Sequence, residues 1–209
     1  PGSARWELMT SASAAADWAT LRAVAKDLQI ELEGEEGPVE EDWGWLRLRF
    51  MEDGDWQEYY GLRTGPATAR VISIATPGDV QHVKDLVVFD PSYIEPQPES
   101  EEEREHYIVP HHVLHVLESG GYTAWLCDGA DPGEEAYEAL CNALEERNYA
   151  VRLRQRDGYT VRNPLAPAES EHEAWEGPDG EDYDPVAAGK RLPGIYFAIA
   201  SPPGASPLE

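Results

Sequence analysis

The stretch Tyr122–Asn163 constrains the fold more than any other part of the chain, because its hydrophobic period changes from strand to helix and back within one unit. Tyr122–Cys127 is rich in aromatic and β-favouring residues between two glycine-containing turns, which predicts a strand. Pro132–Arg147 repeats apolar residues every three or four positions, which predicts a helix with one buried face. Asp131 stands where the N-cap of this helix belongs.

The last part of this stretch predicts a β-hairpin. Tyr149–Arg156 alternates apolar residues with arginines, as a strand with one solvated face does. Asp157-Gly158 is a strong signal for a two-residue hairpin turn, and Tyr159–Asn163 would be the partner strand. The whole stretch therefore predicts a strand, a helix and a hairpin in that order.

A similar order of elements is predicted earlier in the chain. Ser13–Gln29 has the apolar stripe of an amphipathic helix. Trp45–Met51 alternates apolar residues with arginines and is followed by Asp53-Gly54, and Trp56–Leu62 would return as the second strand of a hairpin. Thr68–Ala75 predicts a third antiparallel strand.

These elements predict an α+β fold, in which one antiparallel sheet is built from two helix-plus-hairpin halves, with the helices on one face and long acidic loops outside. The expected parts are an N-terminal α-βββ half at 9–90, a proline- and acid-rich linker or loop at 91–105, a C-terminal β-α-ββ half at 106–201 and a disordered tail at 202–209. The likeness of the halves fits an ancient duplication, and it equally fits coincidence, since arginines on alternate positions before an Asp-Gly turn are a general strand pattern. Residues before Met9 are interpreted as additions to the natural chain.

A large negative charge is the most pronounced feature of the composition. The chain has 41 acidic and 16 basic residues, and its net charge is −25 with histidines neutral. Such a field disfavours direct binding of nucleic acid phosphates and favours a basic protein partner, or a surface that imitates nucleic acid. Adaptation to salt explains the same composition equally well.

The two cysteines, Cys127 and Cys141, have neither zinc nor redox spacing, so we expect two reduced thiols and a cytoplasmic protein. No apolar run has the length of a membrane span, and no secretory signal pattern stands near the start, so we expect no membrane association. We also predict no cofactor. The oligomeric state stays open, and a dimer is one of the options.

The only histidine cluster contains His111, His115 and Glu118. On a predicted short helix these three share a face, which is a workable spacing for a metal or a general base. That face points away from Val113, Leu114 and Leu117, the apolar side of the same helix, so a solvated surface is favoured over a metal site.

Two arginine ladders, Arg47 with Arg49 and the set Arg152, Arg154 and Arg156, concentrate positive charge on two predicted strands. If the strands were neighbours, the ladders would form an anion-binding surface. The favoured alternative is that these arginines form cross-strand salt bridges with the abundant carboxylates. Trp175 is a candidate anchor for a partner.

The chain has no nucleophile–base set, no Walker loop and no dinucleotide-binding glycine motif, so no catalytic residue is predicted. The leading hypothesis is a non-enzymatic acidic binding protein, such as an inhibitor, adaptor, chaperone-like factor or nucleic-acid mimic, that acts on a basic protein. The alternative is a small-molecule enzyme or ligand-binding domain that uses the arginine faces and a histidine such as His111 or His115.

Overall fold

A computed structural model of the chain describes residues 2–166, 186 and 189–206, and it has an α+β fold with four helices. Contacts within the chain divide it into two compact units. We call the first the barrel unit, which holds the described residues up to 75 and residues 80–122. The second, the sheet unit, holds 76–79 and the described residues from 123 onward. The predicted boundaries at 90, 105 and 201 stay predictions.

The barrel unit consists of three helices and five strands. In chain order these are α1 Gly2–Ala14, α2 Trp18–Asp27, β1 Trp45–Glu52, β2 Asp55–Arg63, β3 Thr68–Val71, β4 Leu86–Phe89, α3 Glu101–Glu105 and β5 Pro110–Glu118. The five strands close into a barrel in sequence order. Neighbours are antiparallel except β1 and β5, which are parallel and place Leu48 opposite His111. The barrel is therefore a mixed sheet rather than the purely antiparallel one that was expected.

The first hairpin has the predicted pairing. β1 and β2 are antiparallel from Trp45 opposite Leu62 to Glu52 opposite Asp55. The turn uses positive φ at both central residues, 49° at Asp53 and 92° at Gly54, as a tight hairpin turn requires. Side chains alternate along β1, so one face of the strand carries Leu46, Leu48 and Phe50. These three pack in a hydrophobic core with Val71, Val87 and Phe89.

The helix predicted at Ser13–Gln29 starts later than expected, because Ser13 and Ala14 end α1 and the apolar stripe lies on α2. Ala16 has a positive φ of 52°, and Asp17 starts α2 by accepting a hydrogen bond from the Thr20 backbone N–H at 3.1 Å. Residues 2–8 belong to α1, and Met9 itself is fully buried against Val24 of α2. The start of the chain is thus part of the barrel unit's fold.

The helix predicted over His111, His115 and Glu118 is also wrong, because these residues lie on strand β5. This segment pairs with β1 on one side and β4 on the other, so its backbone hydrogen bonds are made between strands. A helix this short is marginal on its own, and closing the barrel outweighs its local periodicity.

The sheet unit has one helix beside four strands. Its elements are β6 Thr123–Ala130, α4 Glu134–Glu145, β7 Ala150–Gln155, β8 Thr160–Arg162 and β9 Arg191–Ser201. The strand order is β6-β9-β7, β8 also pairs with β9, and all pairs are antiparallel. One unit with an open sheet and one with a closed barrel do not confirm the predicted repeat.

The hairpin predicted around Asp157-Gly158 is wrong, because β7 and β8 both pair with β9 instead of with each other. The 11-residue strand β9 is long enough to hold both strands along one edge. A methyl group on Gly194 of β9 would lie 2.8 Å from Tyr159, so glycine permits this close contact.

Helix α4 begins later than predicted. Its N-cap is Gly133, and the Asp131 carboxylate accepts from the Gly133 backbone N–H at 2.9 Å and pairs with Arg156. After the helix, Asn148 adopts the left-handed conformation that ends helices, with φ 62°. Within the described residues, no helix has the length and hydropathy that crossing a bilayer requires.

Candidate ligand-binding site

A cavity of about 820 Å³ lies at one end of the barrel. The starts of β1 and β5 and the ends of β2 and β4 meet there, since β1 is parallel to β5 and antiparallel to β2. Helix α1 contributes a further wall. The lining residues are Trp6, Glu7, Thr10, Ser11, Trp43, Trp45, Leu46, Arg63, Asp90, Pro91, Ser92, Tyr93, Val109, His111 and Leu114.

Four large aromatic side chains line this cavity: Trp6, Trp43, Trp45 and Tyr93. Trp45 is 53% exposed and Tyr93 is 64% exposed, although both belong to residue types that normally lose most of their surface on folding. Aromatic rings left exposed beside a cavity are typical of binding surfaces, where they are covered by a ligand or partner.

Arg63 supplies the positive charge of the cavity wall. Its guanidinium lies 5.0 Å from the ring centre of Trp43 and 5.3 Å from that of Phe89. Nε donates to the Gly65 carbonyl at 2.9 Å and Nη2 to the Pro66 carbonyl at 2.6 Å. Within the described part of the chain no carboxylate pairs with Arg63, and Nη1 has no hydrogen-bond acceptor. Burial lowers the pKa of this guanidinium, and the interaction with Tyr93 opposes that shift.

Of the predicted site residues that the structure describes, only His111 lines the cavity. Its side chain is buried, and Nδ1 donates to the Asp90 carbonyl at 2.8 Å. Burial lowers the pKa of His111, although the carbonyls of Asp90 and Ser92 act in the opposite direction. Burial therefore favours the neutral form of the imidazole, and the Asp90 carbonyl fixes its orientation.

Two carboxylates complete the polar lining. Asp90 follows β4 and accepts a hydrogen bond from the Ser92 backbone N–H at 2.9 Å, which shapes the loop that carries Tyr93. Glu7 lies on α1, on another wall. The cavity thus combines aromatic surface, one guanidinium and two carboxylates.

The first arginine ladder lies outside this cavity and is neutralised by carboxylates. Arg47 and Arg49 both contact Glu58 on β2, at 3.0 Å and 2.9 Å, and both contact Glu95. Arg47 also donates from Nε to the Ile108 carbonyl. Hydrogen bonds from Arg49 lower the pKa of Glu95, and Glu58 raises the pKa of Arg49. Both arginines of this ladder are engaged in salt bridges within the chain.

The second ladder belongs to the sheet unit, so the two ladders are not on neighbouring strands. Arg156 forms two hydrogen bonds with Asp131, at 2.7 Å and 2.9 Å, which lower the pKa of that carboxyl. Arg152 and Arg154 are exposed on β7.

Two further predicted residues on β5 do not line the cavity. His115 and Glu118 are exposed on β5, and Glu118 lies 3.5 Å from Arg70. Trp175 falls outside the described residues. In the part of the chain that the structure describes, no group of three potential metal ligands is close enough to hold an ion.

A second buried polar cluster lies elsewhere in the barrel unit. The ring of His82 lies between two carboxylates, with Nδ1 2.8 Å from Asp85 and Nε2 3.1 Å from Glu52. It stacks on Phe50 with ring centres 3.8 Å apart. Asp85 also accepts from the Gly120 backbone N–H at 2.7 Å, so the cluster ties three separate segments together.

Sequence reasoning missed most of the cavity residues. Trp43, Trp45, Arg63 and Tyr93 were not singled out. The first hairpin places Trp43 and Trp45 beside Arg63, whereas only barrel closure adds Tyr93 and His111. The available signal was Trp43-Gly44-Trp45, two tryptophans directly before an alternating strand in a polar stretch.

Comparison of the chain with protein-family models, curated proteins and solved structures finds no match. The roles of residues therefore rest on geometry and chemistry alone.

Proposed function

We propose that the chain is a non-enzymatic acidic binding protein that engages a basic protein partner, in the manner of an inhibitor, adaptor, chaperone-like factor or nucleic-acid mimic. The observation that carries this proposal is the set of contacts that the basic side chains make within the chain. Most of the arginines contact carboxylates or backbone carbonyls of the chain itself, and with a net charge of −25 the surface that a partner meets is mainly negative.

Ion pairs and carbonyl contacts engage eight arginines of the described residues. Carboxylates pair with Arg47, Arg49, Arg70 and Arg156, and backbone carbonyls accept from Arg22, Arg63, Arg104 and Arg191. Many acidic side chains remain exposed, among them all four glutamates of α3 and Glu31, Glu35 and Glu36 of the loop after α2. A basic protein would be attracted to such a surface and an anionic polymer repelled.

Three further parts of the proposal rest on the sequence. The absence of a nucleophile–base set supports a non-enzymatic role. The acidity supports the expectation that bare nucleic acid is not bound. Two cysteines outside disulfides, Cys127 and Cys141, support a cytoplasmic location.

The test is a pull-down from the native host at low and moderate salt, followed by calorimetry with the purified captured protein. We expect salt-dependent binding that is stronger than binding to an unrelated acidic protein of similar net charge. Equal binding by that control protein would mean that charge alone is responsible, and it would overturn the proposal in favour of salt adaptation.

Two matched variants locate the contact. One replaces Glu101, Glu102 and Glu105 by Gln, and the other replaces Glu31, Glu35 and Glu36 by Gln, so each removes three exposed charges. A specific interface predicts that the two variants differ in affinity, whereas non-specific attraction predicts equal losses.

A second candidate function has one observation in its favour. A small-molecule enzyme or ligand-binding domain would use the tryptophan-lined cavity, where His111 and Arg63 lie on the same walls. The arginine ladders do not support this candidate, since Arg47, Arg49 and Arg156 are paired with carboxylates.

A further inference from the structure

We propose that the cavity at the end of the barrel binds a planar aromatic ligand that carries one carboxylate. This goes beyond the interaction with a basic protein, because it uses a different surface and ligand chemistry. The cavity volume of about 820 Å³ lies within the range of small-molecule sites.

The carboxylate is inferred from Arg63. The Nε–Nη2 edge of its guanidinium is held by the carbonyls of Gly65 and Pro66, which fixes the plane of the group. The other edge, including Nη1, has no acceptor in the described residues, and no carboxylate of those residues neutralises the charge. A ligand carboxylate can accept two parallel hydrogen bonds from such a fork.

The planar aromatic body is inferred from the rings around Arg63. Trp43 already stacks on the guanidinium, and Trp45 and Tyr93 are more than half exposed beside it. A flat ring inserted between these side chains would cover apolar surface that the fold leaves open, while its carboxylate reaches Arg63.

Two carboxylates in the wall restrict the ligand charge. Asp90 and Glu7 would repel a second negative group, so one negative charge fits the site better than a phosphate ester with two. The net charge of −25 acts mainly at longer range, since salt screens exposed charges beyond about 8 Å at physiological ionic strength, whereas Arg63 acts at contact distance.

The test is calorimetric titration of the full chain with three probes that share one ring system and differ in charge. These are 2-naphthoate, the neutral 2-naphthamide and the cationic 2-naphthylmethylamine. We expect 2-naphthoate to bind about tenfold or more tightly than the other two, because charge-assisted hydrogen bonds exceed neutral ones by that order.

Variants then assign the contact. Arg63→Lys keeps the charge but loses the fork, so it should weaken 2-naphthoate about tenfold and leave 2-naphthamide nearly unchanged. Trp45→Ala should lower the affinity for every probe that binds. Because Trp45 is exposed, the substitution should not unfold the protein, so a lost affinity reports a lost contact. Trp56→Ala is the matched control, since Trp56 is 48% exposed on the partner strand and is outside the cavity lining.

The proposal is overturned if no probe binds, if the amide or amine binds as tightly as 2-naphthoate, or if Arg63→Lys retains the affinity for 2-naphthoate. Circular dichroism on each variant checks that the barrel unit is folded. None of these outcomes bears on the basic-partner proposal, whose pull-down and charge variants use other residues.

Discussion

Asp85 is predicted to be one of the most important polar residues for the stability of the barrel unit. Asp85 is 2% exposed, and its two carboxylate oxygens have different partners. One lies 2.7 Å from the Gly120 backbone N and the other lies 2.8 Å from His82 Nδ1. Replacing Asp85 by Ala leaves the backbone donor unsatisfied and His82 with only Glu52. Each buried partner left without its acceptor costs about 1–3 kcal/mol, so the two together amount to a large part of a typical unfolding free energy.

Asp85→Asn separates charge from shape. The amide oxygen can still accept from Gly120, and a neutral His82 can present its Nδ1 lone pair to the amide N–H while Nε2 donates to Glu52. We therefore expect a smaller loss, about 1–2 kcal/mol.

The assay is urea unfolding followed by tryptophan fluorescence, since five of the seven tryptophans lie in the barrel unit. Asp55→Ala serves as the control, because Asp55 is exposed at the start of β2 and should change stability by less than about 0.5 kcal/mol. A loss below about 1 kcal/mol for Asp85→Ala would refute the idea that this cluster is a desolvated, mutually dependent network.

Three further perturbations test other parts of the structure. Burial lowers the pKa of His111, so as the pH drops below about 6.5 the unfolded chain takes up the proton first and the free energy of unfolding should fall. In His111→Gln this fall should be shallower by up to about 1.4 kcal/mol per pH unit. Equal slopes in urea unfolding of the two proteins would contradict it. Gly61→Ala should destabilise the barrel by about 1–3 kcal/mol in urea unfolding, since the added methyl would lie 2.7 Å from Leu48, and an unchanged midpoint would contradict this overpacking. The proline- and acid-rich segment at 91–105 remains the predicted first site of proteolysis. Glu95→Gln weakens the ion pair with Arg49 of β1, so it should speed trypsin cleavage after Arg104. An unchanged rate would show that this ion pair does not restrain the segment.

Local signals were enough for the first hairpin. Trp45–Met51 and Trp56–Leu62 alternate in sequence, and Asp53-Gly54 can adopt the positive φ angles of the turn, so every piece of information lies within about twenty residues. The α+β class followed from the same kind of evidence.

Local signals failed where distant partners decide the structure. His111–Glu118 has its apolar residues at helical spacing, and only pairing with the edges of β1 and β4 selects the strand. Asp157-Gly158 looks like a hairpin turn, but the long strand β9, about 30 residues further on, takes both flanking strands. The candidate site depends on the same closure, because Trp43, Arg63 and His111 meet only at the barrel end.

The two proposed interactions can be distinguished in one protein preparation by their response to salt. Contacts between exposed glutamates and a basic partner are screened as ionic strength rises, so that affinity should fall steeply. Arg63 is half-buried beside aromatic rings, so its contact with a ligand carboxylate should be screened less than contacts between fully exposed charges. Raising the salt should therefore release the basic partner while 2-naphthoate stays bound. If both affinities fall in parallel, the cavity is no more than part of the general surface field, and Arg63 has no special role in recognition.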